Sequence, residues 1–276
     1  MTIISLNINN FGGATNHLAC YKKYNYINQY VINWDRWRDE NEKFQYSIID
    51  KIKKMISDKK PAVVIFQEYE LNNSKGPMVF IEYMKSKGYQ VMGVIPKFKA
   101  SITLFFVKNT NPKEVKIPII EIRRNELSAR DYAIKYGGYI IYGTHVPYQD
   151  GPRAEFWDDI LRFYDAHNNE KVILLGDFNT FDKSTPAYQK YQKLLNKGAI
   201  DLWLEQGGNN NTATELHGGR LDYIFISPKV KNENSVSMEI KADTMEIDSA
   251  MCMSDHSALF LKIEEKMSGR EVTPKS

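Results

Sequence analysis

Short, β-branched apolar runs recur along the whole chain, and they alternate with stretches whose apolar residues return every third or fourth position. Residues 3–8, 62–66, 89–95, 101–107, 172–175, 221–226, 237–240 and 258–263 read as strands. Two more apolar runs between 132 and 146 flank Gly137-Gly138, the mark of a hairpin. Ile48, Ile49, Ile52, Met55 and Ile56 share one face of a helix that Pro61 ends. Residues 79–87 give a second helix, closed by Gly88. Pro152 suits the first turn of a third, whose apolar face is Phe156, Trp157, Ile160, Leu161 and Tyr164, and residues 188–195 form a fourth, ended by Gly198. Strands and helices in this order hide their apolar surfaces as mixed sheets packed face to face under helices. The class is α/β or α+β, and pattern alone does not separate the two.

With 276 residues, 42% of them hydrophobic and 26% charged, the chain can bury a sizeable core. No Pro-, Gly- and Ser-rich stretch offers a linker, and the polar residues described next run from the first strand almost to the end. Residues 1–265 are therefore expected to form a single domain, with 266–276 a frayed polar tail. The first apolar run is too short for a secretory signal, and no run approaches the roughly 18 apolar residues of a membrane span. Two cysteines, Cys20 and Cys252, are too few for a disulfide framework, which points to a reducing compartment and a cytoplasmic protein. The formal charge of +3 permits an anionic substrate without requiring one. The basic clusters Lys22-Lys23, Lys53-Lys54, Lys59-Lys60, Lys97 with Lys99, and Arg123-Arg124 read either as substrate contacts or as solvated faces.

Polar residues gather where these runs end. Asn7 and Asn9 close the first run, Glu68 follows Phe66-Gln67, and His145 follows Gly143-Thr144. Asp177 and Asn179 follow Leu174-Leu175-Gly176, Asp222 lies within Arg220-Leu221-Asp222-Tyr223, and Asp255-His256 precede the last run. Strand ends are commonly polar and such residues commonly cap the next element, so each alone has a second reading. Their order is more specific. Asn7-Ile8-Asn9, Phe66-Gln67-Glu68, Gly143-Thr144-His145, Gly176-Asp177-Phe178-Asn179, Arg220-Leu221-Asp222-Tyr223-Ile224-Phe225 and Ser254-Asp255-His256 resemble, in sequence, the motifs of the endonuclease/exonuclease/phosphatase superfamily.

The resemblance implies a four-layered α/β sandwich, two mixed sheets face to face with helices outside and the site at one end. It implies a phosphodiester hydrolase. Attack on such a diester needs positive charge at the phosphoryl oxygens, a base for water and help for the departing oxygen. Glu68 with Asn7 offers hard oxygen ligands without thiolates, which suits Mg²⁺ or Mn²⁺ rather than zinc. By resemblance Glu68 is the principal ligand, while Asn9 and Asp255 bind directly or through water. His256 is the candidate that activates water, with Asp222 fixing its tautomer. Asp177 and Asn179 orient nucleophile and phosphate, and His145 contacts a phosphoryl oxygen or protonates the leaving group. The roles of Asp177 and His256 are exchangeable between members.

The substrate is less legible. Abasic-site endonucleases usually carry tyrosine where this chain has His145, and Asn10-Phe11-Gly12 departs from their Gly-Leu-Arg, so abasic-site repair is disfavoured. Arg130-Asp131 resembles the arginine–acid pair with which pancreatic-type deoxyribonucleases approach a phosphate, or is a surface ion pair. The insertion 12–43, with Trp34, Arg36, Trp37 and Arg38, either presents bases with an aromatic, cationic surface or caps a sheet. His167 reads as structural, His17 and His217 as undecided. A nucleic acid, DNA before RNA, is the expected substrate, with no membrane and no obligate protein partner. The alternatives are a phosphoesterase for a small or lipid phosphoester and a non-catalytic binding module, against which the intact Glu68, Asp177 and His256 speak.

Overall fold

The computed structural model describes residues 1–13, 34–70, 75–93, 102–109, 119–120, 129–246 and 249–266. One sheet has the order β11-β12-β1-β2-β4-β3, built from β1 (Thr2–Asn7), β2 (Val63–Tyr69), β3 (Tyr89–Met92), β4 (Ile102–Lys108), β11 (Asn234–Lys241) and β12 (Ala258–Glu265). The other has the order β5-β6-β7-β8-β10-β9. Its strands are β5 (Ile119–Ile120), β6 (Asp131–Tyr136), β7 (Tyr139–His145), β8 (Val172–Asp177), β9 (Ile200–Asp201) and β10 (Asp222–Ile226). Each sheet is mixed, since β1 pairs parallel with β2 and antiparallel with β12, while β7 pairs parallel with β8, which pairs antiparallel with β10.

Period-two alternation sorts the strand side chains between two faces. Ile3, Ile65, Phe105, Ile141, Leu175, Ile224 and Leu261 meet between the sheets. The outer face of the first sheet is covered by α1 (Trp34–Lys59), through Ile48, Ile49, Ile52 and Met55, and by α2 (Lys75–Ser86), through Phe80, Ile81 and Met84. The outer face of the second is covered by α3 (Asp150–His167), through Phe156, Trp157, Ile160 and Tyr164, and by α4 (Pro186–Asn196), through Tyr191 and Leu194. These are four layers, helix on sheet on sheet on helix. Two short helices, α5 (Leu202–Glu205) and α6 (Pro228–Glu233), complete the connections.

The hairpin expected around Gly137-Gly138 joins β6 to β7, and both glycines have the positive φ that such a turn requires. Helix α1 begins well before the apolar stripe that reveals it. Its first turns, WDRWRDENEK, hold charged residues that favour helix without marking a buried face. Helix α2 likewise starts earlier, with Pro77 inside its first turn. Cys252 is a buried free thiol. Cys20, His17, Lys22-Lys23, Lys97, Lys99, Arg123-Arg124, the segment 14–33 and the tail 267–276 lie outside the described residues. Among the described residues no helix is long and apolar enough to cross a membrane.

Candidate active site

The inner face of each central strand is apolar until its last residue at one end of the sandwich. On β1 the inward series Ile3, Ser5 ends at Asn7, on β7 Tyr139, Ile141 ends at His145, and on β8 Ile173, Leu175 ends at Asp177. On antiparallel β10 the series starts at Asp222 and continues through Ile224 and Ile226. Register then brings neighbours level, with His145 and Asp222 both opposite Asp177. Glu68 is the exception. Val63 and Ile65 face inward and Gln67 donates to Ser5 Oγ at 3.1 Å, so strict alternation would send Glu68 outward to the helices. A register shift between Phe66 and Tyr69 makes Glu68 an extra residue with φ +53°, and this bulge turns the carboxylate back toward the site. Tyr69 takes the outward place in its stead.

Asn7 Nδ2 donates to Glu68 Oε1 at 3.2 Å and to Asp177 Oδ2 at 3.1 Å, while its Oδ1 accepts the Asn9 backbone N–H at 3.0 Å. This corrects the reading of Asn7 as an oxygen ligand, because its oxygen is engaged in the turn and its amide nitrogen braces two carboxylates. Asn9 lies beyond the strand, and its Nδ2 donates to the Gly13 carbonyl at 3.1 Å. Asp177 Oδ1 accepts the backbone N–H of Asn179 at 3.0 Å. Burial first, and then the charge of Asp222, push the Asp177 carboxyl up to about 7, against the opposing pull of His256 and these hydrogen bonds. Asp255 is lifted to about 6 by burial and by the charge of Glu68, with His256 opposing.

The two histidines flank Asp177 in different states. His145 Nε2 lies 3.7 Å from Asp177 Oδ2 and 3.6 Å from Glu68 Oε1, and Arg130 NH1 stands 3.2 Å from its Nδ1. Burial, Arg130 and His256 hold this imidazole well below its usual range, so it is neutral, and a guanidinium at Nδ1 leaves the proton on Nε2. His256 Nδ1 donates to Asp222 Oδ2 at 2.9 Å, and its Nε2 is 4.0 Å from Asp177 Oδ2. Burial disfavours its charge, but Asp222, with Asp177 and Asp255, more than offsets this and lifts it to about 10. Asp177, Asp222 and His256 bring ligand atoms within 4.8 Å of one another, yet they satisfy each other as an ion-paired group. Glu68 is one-third exposed, 34%, and faces Asp255 with no cation between the two carboxylates. This oxygen pair suits a hard divalent ion better than the closed cluster does.

The model of the Endonuclease/Exonuclease/phosphatase family matches residues 4–256, a span that contains every residue of this constellation. The chain belongs to that family. Solved structures similar to this family member include an AP endonuclease from Archaeoglobus fulgidus, with TM-score 0.63 and 14% identity over 96% of this chain and 99% of that one. The 3' phosphatase NExo from Neisseria, bound to product DNA hairpin, gives TM-score 0.61 and 16% identity over 96% and 99% of the two chains. D. rerio TDP2, complexed with single strand DNA product, gives 0.62 and 16% over 96% and 98%. At these identities the likeness is one of fold. No curated protein sequence matches.

In this family member Arg130 and Asp131 do not act as a pair. Arg130 reaches His145, whereas Asp131, one residue on, is buried and accepts from Tyr142 OH at 2.7 Å. Asn179 adopts φ +46°, its Nδ2 donates to the Val146 carbonyl at 2.7 Å, and Arg153 NH1 donates to its carbonyl at 3.1 Å. His167 ends α3 and pairs with Glu170 at 2.9 Å, away from the constellation, and His217 is 89% exposed on the loop before β10. Two bracing residues escaped the sequence reading. Ser254 donates to the Asn7 carbonyl and accepts the His256 N–H at 3.1 Å, joining the exit of β1 to the entry of β12. Its place in Ser254-Asp255-His256 was the available signal. Thr214 Oγ1 accepts both Leu221 N–H, 2.9 Å, and Asp222 N–H, 3.0 Å, from a loop with no pattern to announce it.

Proposed function

We infer that the chain is a divalent-metal-dependent phosphodiester hydrolase whose substrate is nucleic acid, DNA before RNA. The observation that carries this reading is the meeting, at one end of the sandwich, of the Glu68–Asp255 oxygen pair with an Asp222-held His256 beside Asp177. Glu68 and Asp255 would hold Mg²⁺ or Mn²⁺, and when bound the ion supplies positive charge to the phosphoryl oxygens. Asp222 fixes His256 through Nδ1 and so presents Nε2 toward Asp177. The Asp177–His256 couple takes the proton of the attacking water, and Asn179 and Asn7 hold the Asp177 carboxylate in place. His145 offers a neutral Nε2–H and Arg130 a guanidinium to the phosphoryl oxygens.

Support for nucleic acid comes from two similar structures that hold DNA products and from the absence of acidic crowding around Arg130 other than the site's own carboxylates. Residues 1–265 act as one catalytic unit in this reading, in a cytoplasm that keeps the thiols reduced. The test is an activity screen with plasmid DNA, single-stranded DNA, RNA and bis(p-nitrophenyl) phosphate, beside sphingomyelin and inositol phosphates, with and without Mg²⁺. Turnover of nucleic acid that stops in chelator is expected. Preferential turnover of a lipid or inositol substrate overturns the substrate and leaves the chemistry.

A further inference from the structure

A cavity of about 280 Å³ opens beside the catalytic group, on the other side of the segment that precedes β10. Phe181, Lys183, Asn210, Asn211, Arg220 and Tyr223 line it, and among the described residues none of its walls is acidic. Two links tie it to the catalytic residues. Phe181 stands two positions past Asn179, at most roughly 7 Å of backbone, and Tyr223 directly follows Asp222. Glu215 pairs with Gly219 at the cavity and with His256 at the site, so one strip of chain forms a wall of both. Phe181 is 54% exposed, an unusual state for so large an apolar ring, and it packs over Gly219, where an added Cβ would meet the ring at 3.2 Å.

The cavity is built rather than incidental. Arg220 is only 2% exposed, donates to both oxygens of Asp201 at 3.0 and 2.6 Å and to Asn210 Oδ1 at 2.7 Å, and lies 4.3 Å over the Tyr223 ring. Its Nε–H is buried without a hydrogen-bond partner. Tyr223 OH donates to the Thr180 carbonyl, which holds the loop that carries Phe181. Asn210 spends its oxygen on Arg220, so what it has left to offer is an N–H donor. The walls therefore combine an aromatic face with Lys and Asn donors, and they provide no carboxylate to receive a donor. A ring with a π-face and carbonyl or ring-nitrogen acceptors matches such a lining.

We propose that this cavity is a subsite for one unstacked nucleobase of a single-stranded substrate, held against Phe181 next to the phosphodiester being cut. The assignment rests on the nucleic-acid reading above. The geometry makes Phe181 a binding residue that is outside the hydrolytic machinery, and it predicts a preference for strands whose base can leave the stack over fully paired duplex.

The test uses the full chain and the variants Phe181→Ala, Phe181→Leu and Phe181→Trp, each checked for an unchanged melting curve. Wild type and variants are assayed on a single-stranded oligonucleotide, on its blunt duplex and on bis(p-nitrophenyl) phosphate, which has no base. In parallel, binding of a 2-aminopurine-labelled single strand is read by fluorescence in chelator. Phe181→Ala should raise KM for the single strand roughly tenfold with kcat little changed, and should lose the fluorescence quench. Phe181→Trp should retain both, Phe181→Leu should lie between, and hydrolysis of the baseless diester should be the same in all four. Wild-type cleavage of the oligonucleotide with Phe181→Ala binding and cutting equally well overturns the subsite and leaves the nucleic-acid reading standing. An equal loss on the baseless diester overturns it in favour of a structural role. Failure of wild type to bind or cut any oligonucleotide, while it hydrolyses the baseless diester, overturns both.

Discussion

The Glu68 carboxylate hangs from a backbone with φ +53°, a conformation that a non-glycine residue keeps only when its surroundings hold it there. Glu68→Gln preserves the bulge and the hydrogen bond from Asn7 but removes the charge, so activity should fall by at least roughly 10²-fold while the circular dichroism spectrum and melting curve stay as in wild type. Full turnover in excess chelator would take a metal ion out of the reaction. His256 and Asp222 form a unit through one 2.9 Å hydrogen bond. His256→Ala should lower the chemical rate by roughly 10²–10⁴-fold and Asp222→Asn by less, since a misoriented imidazole keeps part of its function. The double variant should be scarcely worse than His256→Ala, and equal, independent losses measured by single-turnover kinetics would argue that the two do not cooperate. Asn7, His145, Asp177 and Asp222 were legible because each is the last inward residue of an apolar strand. The direction of Glu68 was not, since it depends on a bulge that no side-chain pattern announces, and the donor role of Asn7 was not, since an amide reads the same whichever end faces the site.

Strands and helices were legible where burial imposed a period. The β6–β7 hairpin, β8 and the stripe of α3 followed from it, whereas the charged first turns of α1, with no apolar stripe to reveal them, did not. β5 and β9, two residues each, are too short to carry any period. At this scale the tightest constraint lies between β7 and β8, where Gly176 pairs with Thr144. A Cβ at 176 would come within 2.1 Å of the Thr144 carbonyl, at φ +137°, so the two strands cannot both keep their register around a side chain. Gly176→Ala should destabilise by more than roughly 3 kcal/mol, lowering Tm by about 10 °C or preventing folding. Gly138→Ala is the control, because φ is also positive there and nothing lies within 4 Å, so only backbone strain of about 1 kcal/mol is expected. A Gly176→Ala protein that melts with wild type would mean that the strands part more easily than their pairing implies.

Across the whole molecule, the four layers set which charges can reach a substrate. Lys59 and Lys60 end α1 just before β2 begins at Val63, and Glu68 lies near the far end of that strand, roughly 17 Å away at 3.3 Å per residue. That basic pair sits at the opposite end of the sandwich from the site, and Lys59 rests over Phe260, so it reads as a solvated face. Lys53, bonded to Asp50 and lying over Tyr83, has partners of its own on the outer layer. A net charge of +3 spread in this way gives little long-range attraction, and the salt dependence of binding should come from the few cations at the mouth of the site. Arg130 is the one whose position is explicit, beside His145 and within the field of Glu68 and Asp177. If it meets a phosphate, each contact releases counterions, and the plot of log affinity against log salt for an oligonucleotide should become shallower by about one unit in Arg130→Ala. Binding measured in chelator across a salt series separates this from lost turnover. A slope unchanged by the substitution would leave Arg130 as a brace for His145 alone, and its loss would then show in kcat rather than in affinity.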